Sequence, residues 1–184
     1  MKIDRDYYLI VDLEATCSDD NSIPRQRMEI IEIGAVLLDS KNLRIESEYQ
    51  SFVKPIIHPV LTDFCKSLTS ISQEEINTAS YLPNVLKDFQ TWFYPYGSYL
   101  FRFWGDYDKN QFIQDCKLHR IGYPFPGKHF NLKKEFSIAV NSKKKFGMNG
   151  ALKKLGLELE GIHHRGIDDA RNIARIVKAT LSRM

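Results

Sequence analysis

Residues 8–17 read YLIVDLEATC, an apolar run that ends in two acids, Asp12 and Glu14, with one leucine between them. Successive side chains of a strand point to opposite faces, so Asp12 and Glu14 would share one face, about 7 Å apart. Two carboxylates on one face repel each other unless both lie in water or a positive group lies between them. The stretch therefore predicts a buried strand that ends in a solvated acidic pair or in a cation site.

Strand and helix patterns follow one another along the chain. Short segments rich in apolar and aromatic residues predict strands, at residues 7–12, 32–38, 45–53 and 98–104. Helical patterns follow at residues 72–77, 83–93, 109–121, 149–157 and 167–181. The order predicts an α/β fold, a mixed sheet flanked by helices in one domain over residues 1–184, with the first three strands as a meander.

Length and composition allow one substantial core, because the chain has 184 residues and 43% of them are hydrophobic. The longest apolar stretches are far shorter than the roughly 20 residues of a transmembrane helix, and the N-terminus lacks the apolar core of a signal peptide. We therefore expect a soluble, cytoplasmic protein without a membrane partner. The three cysteines form no C-x-x-C pair, which argues against a disulfide framework and a zinc ribbon.

The charge distribution permits a polyanionic partner without requiring one. The net charge is +3, and lysines cluster in the C-terminal third, at residues 133–134, 143–145 and 153–154. These clusters are either a phosphate-facing surface or an ordinary solvated face.

Acids recur at two further places where the predicted fold brings side chains together. GDYD at 105–108 follows the strand at 98–104, and HHRGIDDA at 163–170 opens the last helix. Taken singly, such acids are ordinary solvated or helix-capping residues. If the three clusters converge, their carboxylates form the oxygen-rich site that Mg²⁺ or Mn²⁺ prefers.

These motifs, in this order, resemble the DEDDh class of 3′→5′ exonucleases, which have a DnaQ-like fold related to ribonuclease H. The resemblance is greatest to the Eri-type RNA exonucleases and covers nearly the whole chain. It is carried by VDLEATC, MEIIEIGAVLLD, FVKPIIHPVLTDFCKSLTSI, WGDYDKNQF and HRGIDDARNIARI. The resemblance implies a mixed five-stranded sheet flanked by helices.

The resemblance also implies the residues that act. The metal ligands, for two ions of Mg²⁺ or Mn²⁺, would be Asp12, Glu14, Asp108 and Asp169. Glu14 and His164 would be catalytic, with His164 as general base on a loop between Gly161 and Gly166 that could close over the substrate. Asp108, rather than Asp106, follows the aromatic residue as the family's ligand does. Two ions about 3.5 to 4 Å apart can hold the attacking and leaving oxygens of a displacement at phosphorus.

The implied activity is removal of nucleoside 5′-monophosphates from the 3′ end of nucleic acid, single-stranded RNA in preference to DNA, or from 3′ overhangs. Aromatic side chains stack on bases without reading sequence, and the matching positions are Phe64 and Tyr107. Main-chain groups at Leu13 to Ala15, together with His164, would complete the substrate contacts. Phe64 could instead be a core residue.

Ser70 departs from the family pattern, which has glycine at this place in the L-T-G-I stretch, and we expect an altered tight turn there. Because the resemblance is to the catalytic domain, substrate targeting would come from its own surface, including the lysine clusters, or from a partner that the sequence does not name. An oligoribonuclease and a DNA-directed exonuclease would use the same five residues. A binding module without catalysis is the alternative of a different class, but it has no use for clustered acids.

Overall fold

β1 (Tyr7–Ala15) is a central strand of a mixed sheet. It pairs antiparallel with β2 (Ile30–Asp39) and parallel with β5 (Tyr99–Phe103). This computed structural model describes residues 5–125 and 129–181. The ends of the predicted domain, residues 1–4 and 182–184, lie outside those ranges, as do residues 126–128.

The remaining strands extend the sheet on both sides of this centre. β3 (Ile45–Lys54) pairs antiparallel with β2, which confirms the predicted meander. The strands β4 (Ser80–Tyr81) and β6 (Phe130–Asn131) lie at the edges, giving the order β4-β3-β2-β1-β5-β6. The described sheet thus has six strands rather than the five that the resemblance implies. The four longer strands are the ones that the sequence patterns predicted, whereas two-residue strands are too short to show an alternation in sequence.

Helices cover both faces of the sheet, and their bounds follow in chain order. They are α1 (Asp63–Thr69), α2 (Gln73–Thr78), α3 (Leu82–Phe93), α4 (Tyr107–Leu118), α5 (Leu132–Ala139), α6 (Met148–Leu155) and α7 (Gly166–Leu181), with 3₁₀ turns at Arg25–Arg27 and Tyr94–Tyr96. The patterns did not predict α1 and α5. Thr62 and Asn131 cap these two helices by accepting from main-chain N–H groups. None of the helices in the described ranges is long and apolar enough to cross a membrane.

The two faces of β1 explain where its acids point. Leu9, Val11 and Leu13 pack in a core with α3 and α4, whereas Tyr8 and Ile10 pack in a second core with α6 and α7. Asp12 and Glu14 continue the second set, because side chains alternate along a strand. The acidic pair therefore faces the layer that contains α7.

Candidate active site

Three carboxylates meet where the C-terminal half of β1 faces the first turn of α7. One oxygen each from Asp12, Glu14 and Asp169 lies within 4.8 Å of the others. The predicted end of β1 at Asp12 was wrong by three residues, since the strand continues to Ala15. Glu14 is consequently held inside the strand by its pairing with β2.

Asp108 supplies the fourth carboxylate from the first turn of α4. Its side chain is buried, and its Oδ1 accepts a hydrogen bond from the Leu13 N–H at 3.2 Å, so α4 is tied directly to β1 between the two strand acids. Asp106, two residues earlier, is exposed. The structure therefore separates the two acids of GDYD, placing Asp108 in the cluster and Asp106 in solvent.

Burial and mutual repulsion hold protons on this cluster. Burial is the main cause that raises the pKa of Glu14 to about 9 and that of Asp108 and Asp169 to about 7 each. Burial and the charge of Asp108 raise the pKa of Asp12 well above its ordinary value. Four such groups can all be ionised at neutral pH only if positive charge lies among them.

The donor set fits a hard divalent cation. All four candidate ligands offer carboxylate oxygens, and one of these, Asp169 Oδ1, is buried without a hydrogen-bond partner in the described structure. A buried, unpartnered carboxylate oxygen is costly, and a bound cation would remove that cost. The chemistry of the site thus agrees with the dependence on divalent metal that the fold implies.

Glu32 is a fifth acid beside the cluster, and the sequence patterns did not predict it. It pairs across the sheet with Glu14 and is fully buried. Its Oε2 accepts from the Gly166 N–H at 3.0 Å and lies 3.4 Å from Arg165 Nε, while its Oε1 accepts from Gln50 Nε2 at 2.8 Å. The sequence does contain one sign of this role, since Glu32 is the single acid in the apolar run IIEIGAVLL. A buried carboxylate needs hydrogen-bond or charged partners, so an acid in such a run indicates a polar site nearby.

His164 and His163 lie side by side next to Asp169. Their rings are 3.9 Å apart between centroids, and ligand atoms of both lie within 4.8 Å of an Asp169 oxygen. The His164 main-chain N–H donates to Asp169 Oδ2 at 3.1 Å, and His164 adopts a left-handed φ of 64°. Burial, followed by the charge of His163, lowers the pKa of His164, so its imidazole is neutral at pH 7.

The loop that carries the two histidines is fixed at both ends. At Gly161, with φ +77°, a Cβ would lie 2.4 Å from the Asp168 carboxyl carbon, and Gly166 packs against the main chain of β1 and β2. Asp168 accepts from the Ile162 N–H at 2.9 Å. The two glycines thus serve close packing in this structure, and nothing in their contacts supports the expected closing motion.

The two predicted aromatic substrate contacts, Phe64 and Tyr107, lie beside the C-terminal end of β1, and we call them the rim. Phe64, in the first turn of α1, is 37% exposed, so its alternative assignment to the core does not hold. Tyr107 is 41% exposed, and the Arg25 guanidinium lies 4.2 Å from its ring centroid. The Leu13 N–H is already bonded to Asp108, and the Ala15 carbonyl accepts from Cys65 Sγ at 3.8 Å.

Ser70 ends α1 in the turn that the family pattern reserves for glycine. Its φ of 57° is left-handed, which costs a residue with a Cβ about 1 kcal/mol. The Ser70 carbonyl accepts from Arg165 Nη1 at 3.3 Å. The turn at Ser70 is therefore connected to the histidine loop through Arg165, and it contributes no carboxylate to the cluster.

Comparison with known proteins agrees with this geometry. The family model described as Exonuclease matches residues 9–177. Human 3′-5′ exoribonuclease 1 is 37% identical over 182 residues, which cover 93% of this chain and 51% of that protein. The chain spans about half the length of the curated relatives it matches.

Two solved structures give the same result. The nuclease domain of 3′hExo, described as a DEDDh family member and bound to rAMP, has a TM-score of 0.92 and 35% identity, covering 99% of this chain and 94% of that one. A 3′-exonuclease described in 3′-end specific recognition of the histone mRNA stem-loop has a TM-score of 0.89 and 35% identity, covering 95% and 63%. These findings confirm the resemblance indicated by the motifs: the chain belongs to the Exonuclease family, as a relative of the DEDDh-class 3′-5′ exoribonucleases.

Proposed function

We propose that this chain is a metal-dependent 3′→5′ exoribonuclease that removes nucleoside 5′-monophosphates from single-stranded RNA or 3′ overhangs. The observation that carries the proposal is the convergence of Asp12, Glu14 and Asp169 within 4.8 Å, with buried Asp108 bonded to the strand between them. An inactive binding module would gain nothing from four carboxylates that repel one another in a buried site.

The four carboxylates would hold two ions of Mg²⁺ or Mn²⁺. When bound, the ions would supply positive charge where the attacking and leaving oxygens of the displacement become negative. The protein's own contribution is to fix the ligands on three elements, β1, α4 and α7. Burial raises the pKa of Glu14 to about 9, and Glu14 pairs across the sheet with Glu32.

His164 acts as general base in this proposal. Its lowered pKa leaves the imidazole unprotonated at pH 7, ready to accept a proton from the attacking water. The hydrogen bond from its main-chain N–H to Asp169 keeps the histidine beside the cluster. Because this bond uses the main chain, it does not occupy either ring nitrogen.

Substrate binding rests on the exposed aromatics of the rim. Phe64 and Tyr107 can stack on the bases at a 3′ end, each with about 1 to 3 kcal/mol. RNA as the substrate is favoured by the human relative, named an exoribonuclease, and by the solved relative bound to rAMP. A DNA-directed exonuclease or an oligoribonuclease would use the same cluster, so only the preferred substrate distinguishes these alternatives from the proposed activity.

The test is a time course on 5′-labelled RNA and matched DNA, with free or blocked 3′ ends, in Mg²⁺, Mn²⁺ or EDTA. We expect a one-nucleotide ladder that needs both metal and a free 3′ end, and that is faster on RNA. A faster ladder on DNA would assign the chain to the DNA-directed alternative. Tight RNA binding without any ladder would support the inactive module instead.

A matched pair of variants tests the site itself. Asp108→Asn keeps an oxygen that can accept from the Leu13 N–H but removes the charge, and it should lower kcat at least 100-fold. Asp106→Asn, two residues away and exposed, should retain near wild-type activity. Full activity of Asp108→Asn would contradict the proposed metal site.

A further inference from the structure

The C-terminal lysines are concentrated in one segment with almost no compensating acid. Residues 131–157 contain seven lysines and a single acid, Glu135, although the whole chain carries only +3. Glu135 is already paired with Arg102 at 2.7 Å. None of the seven lysines forms an ion pair with a described residue, so the segment presents nearly all of its charge to solvent.

Contacts place part of this segment at the edge of the candidate active site. A Cβ on Gly105, three residues before Asp108, would lie 3.7 Å from Lys133 Cδ. The Trp104 Nε1–H donates to the Phe146 carbonyl at 3.2 Å, which brings the loop after α5 to the same end of β5. Lysine stems therefore begin within one side-chain length of the turn that leads into α4.

The loop that follows α5 is hydrogen-bonded to α5, so the lysines of the helix and those of the loop are held next to one another. The Ser137 hydroxyl bonds to the Lys133 carbonyl at 2.9 Å and to the Lys144 carbonyl at 3.0 Å. Lys143, Lys144 and Lys145 are all exposed. We name Lys133 and Lys143–Lys145 the lysine surface.

We propose that the lysine surface binds the phosphates of a single-stranded RNA several nucleotides upstream of its 3′ end. This inference rests on the proposed function, which places the terminal nucleotide at the carboxylate cluster. The carboxylate cluster with its ions would hold only the terminal phosphodiester, so the attraction for the rest of the strand has to come from elsewhere. An adjacent, uncompensated positive surface supplies it, without reading sequence.

The consequence is that affinity depends on substrate length. A dinucleotide has one phosphodiester, which would be bound at the cluster, so a dinucleotide would not reach the lysine surface. A strand of ten nucleotides has further phosphates that would reach it. Each phosphate neutralised on a single strand adds about 0.7 to the slope of log affinity against log salt concentration.

The experiment compares Lys143→Gln/Lys145→Gln with the control Lys41→Gln/Lys87→Gln, which also removes two charges. Lys41 lies on the β2–β3 turn and Lys87 is exposed on α3, across the sheet from α5. We expect the first pair to raise KM about 5- to 10-fold on a ten-nucleotide RNA, with the salt slope reduced by about 1.4, and to leave dinucleotide hydrolysis within 2-fold of wild type. The control pair should change neither substrate's KM by more than 2-fold.

A second readout separates this inference from the proposed function. Fluorescence anisotropy of a labelled ten-nucleotide RNA in EDTA measures binding without hydrolysis, and we expect the same 5- to 10-fold loss there. Equal losses on dinucleotide and long RNA, or none on the long RNA in either assay, would overturn the inference. If the wild-type protein binds RNA in EDTA through these lysines but cleaves nothing in Mg²⁺, the proposed exonuclease activity would be refuted. The proposed RNA binding by the lysine surface would still hold.

Discussion

Gly34 and Gly166 approach so closely that a Cβ built on Gly34 would lie 2.0 Å from the carbonyl carbon of Gly166. Gly34 pairs with Asp12 across the sheet, and Gly166 lies three residues before Asp169. This contact between two main chains therefore sets the distance between a strand carboxylate and a helix carboxylate. No side chain fits between them.

Gly34→Ala should consequently displace the start of α7. We expect a loss of about 3 kcal/mol or more in the free energy of unfolding, measured by urea denaturation, together with loss of metal-dependent activity. Gly122→Ala is the control, because nothing lies within 4 Å of a Cβ at Gly122. Wild-type stability of Gly34→Ala would contradict this packing.

Stability should depend on pH in the direction set by the carboxylates. Glu14, Asp108 and Asp169 have folded-state pKa values of about 9, 7 and 7, all raised above those of the unfolded chain. Their protonated forms favour the folded state, so in EDTA the stability from these groups is fully present below about pH 4. It should fall as the pH rises from there toward the folded-state values of about 7 to 9 and level off above them.

Divalent metal should reverse that trend. Mg²⁺ or Mn²⁺ binds the ionised carboxylates, so its affinity should rise with pH and its binding should release protons. Melting curves from pH 5 to 9 with and without metal measure the first effect, and calorimetry in buffers of different ionisation enthalpy measures the second. A metal-independent pH profile would exclude these carboxylates as the ligands.

His164 and His163 should differ in their effect on catalysis. His164→Ala should lower kcat about 100-fold or more, as expected for a general base, whereas His163→Ala should keep most of the activity. His163 is one cause of the lowered pKa of His164. Its removal should therefore raise that pKa and move the acidic limb of the kcat/KM profile to higher pH. If His163→Ala is the more damaging variant, the general base is misassigned.

Arg25 should act on substrate affinity through Tyr107. Its guanidinium lies 4.2 Å from the Tyr107 ring centroid and also hydrogen-bonds Gln111 Oε1, which orders the ring beside Asp108. Arg25→Ala should raise KM for RNA about 3- to 10-fold with little change in kcat. Arg27→Ala, an exposed neighbour in the same turn, is the matched control. Equal KM values for the two variants would show that the stacked pair does not contribute.

Local patterns predicted the elements that carry most of the site. The apolar run before Asp12 and the helix that contains Asp169 have periods that can be recognised within a dozen residues. The family motifs then assigned Asp108 over Asp106, and the structure buries the first and exposes the second. Because the sheet brings together elements that such patterns identify, the convergence of these acids could be predicted.

What escaped prediction depends on distant partners. Glu32 is satisfied by Gln50 and Gly166, which lie 18 and 134 residues away, so its role cannot be deduced from its neighbours in sequence. The pairing of Arg25 with Tyr107 joins a loop to a helix across 82 positions in the same way. A tight turn at Ser70 was expected only from the glycine in the family pattern, because serine seldom adopts a left-handed φ and so gives no signal of its own.

The acidic cluster is distributed over the chain from residue 12 to residue 169. Three of its carboxylates belong to β1 and α4, but the fourth arrives only when α7 docks against Gly34. A chain emerging from the ribosome would therefore carry an incomplete centre until α7 had been synthesised and packed. Under the proposed function, the nascent protein would gain its activity only at that point.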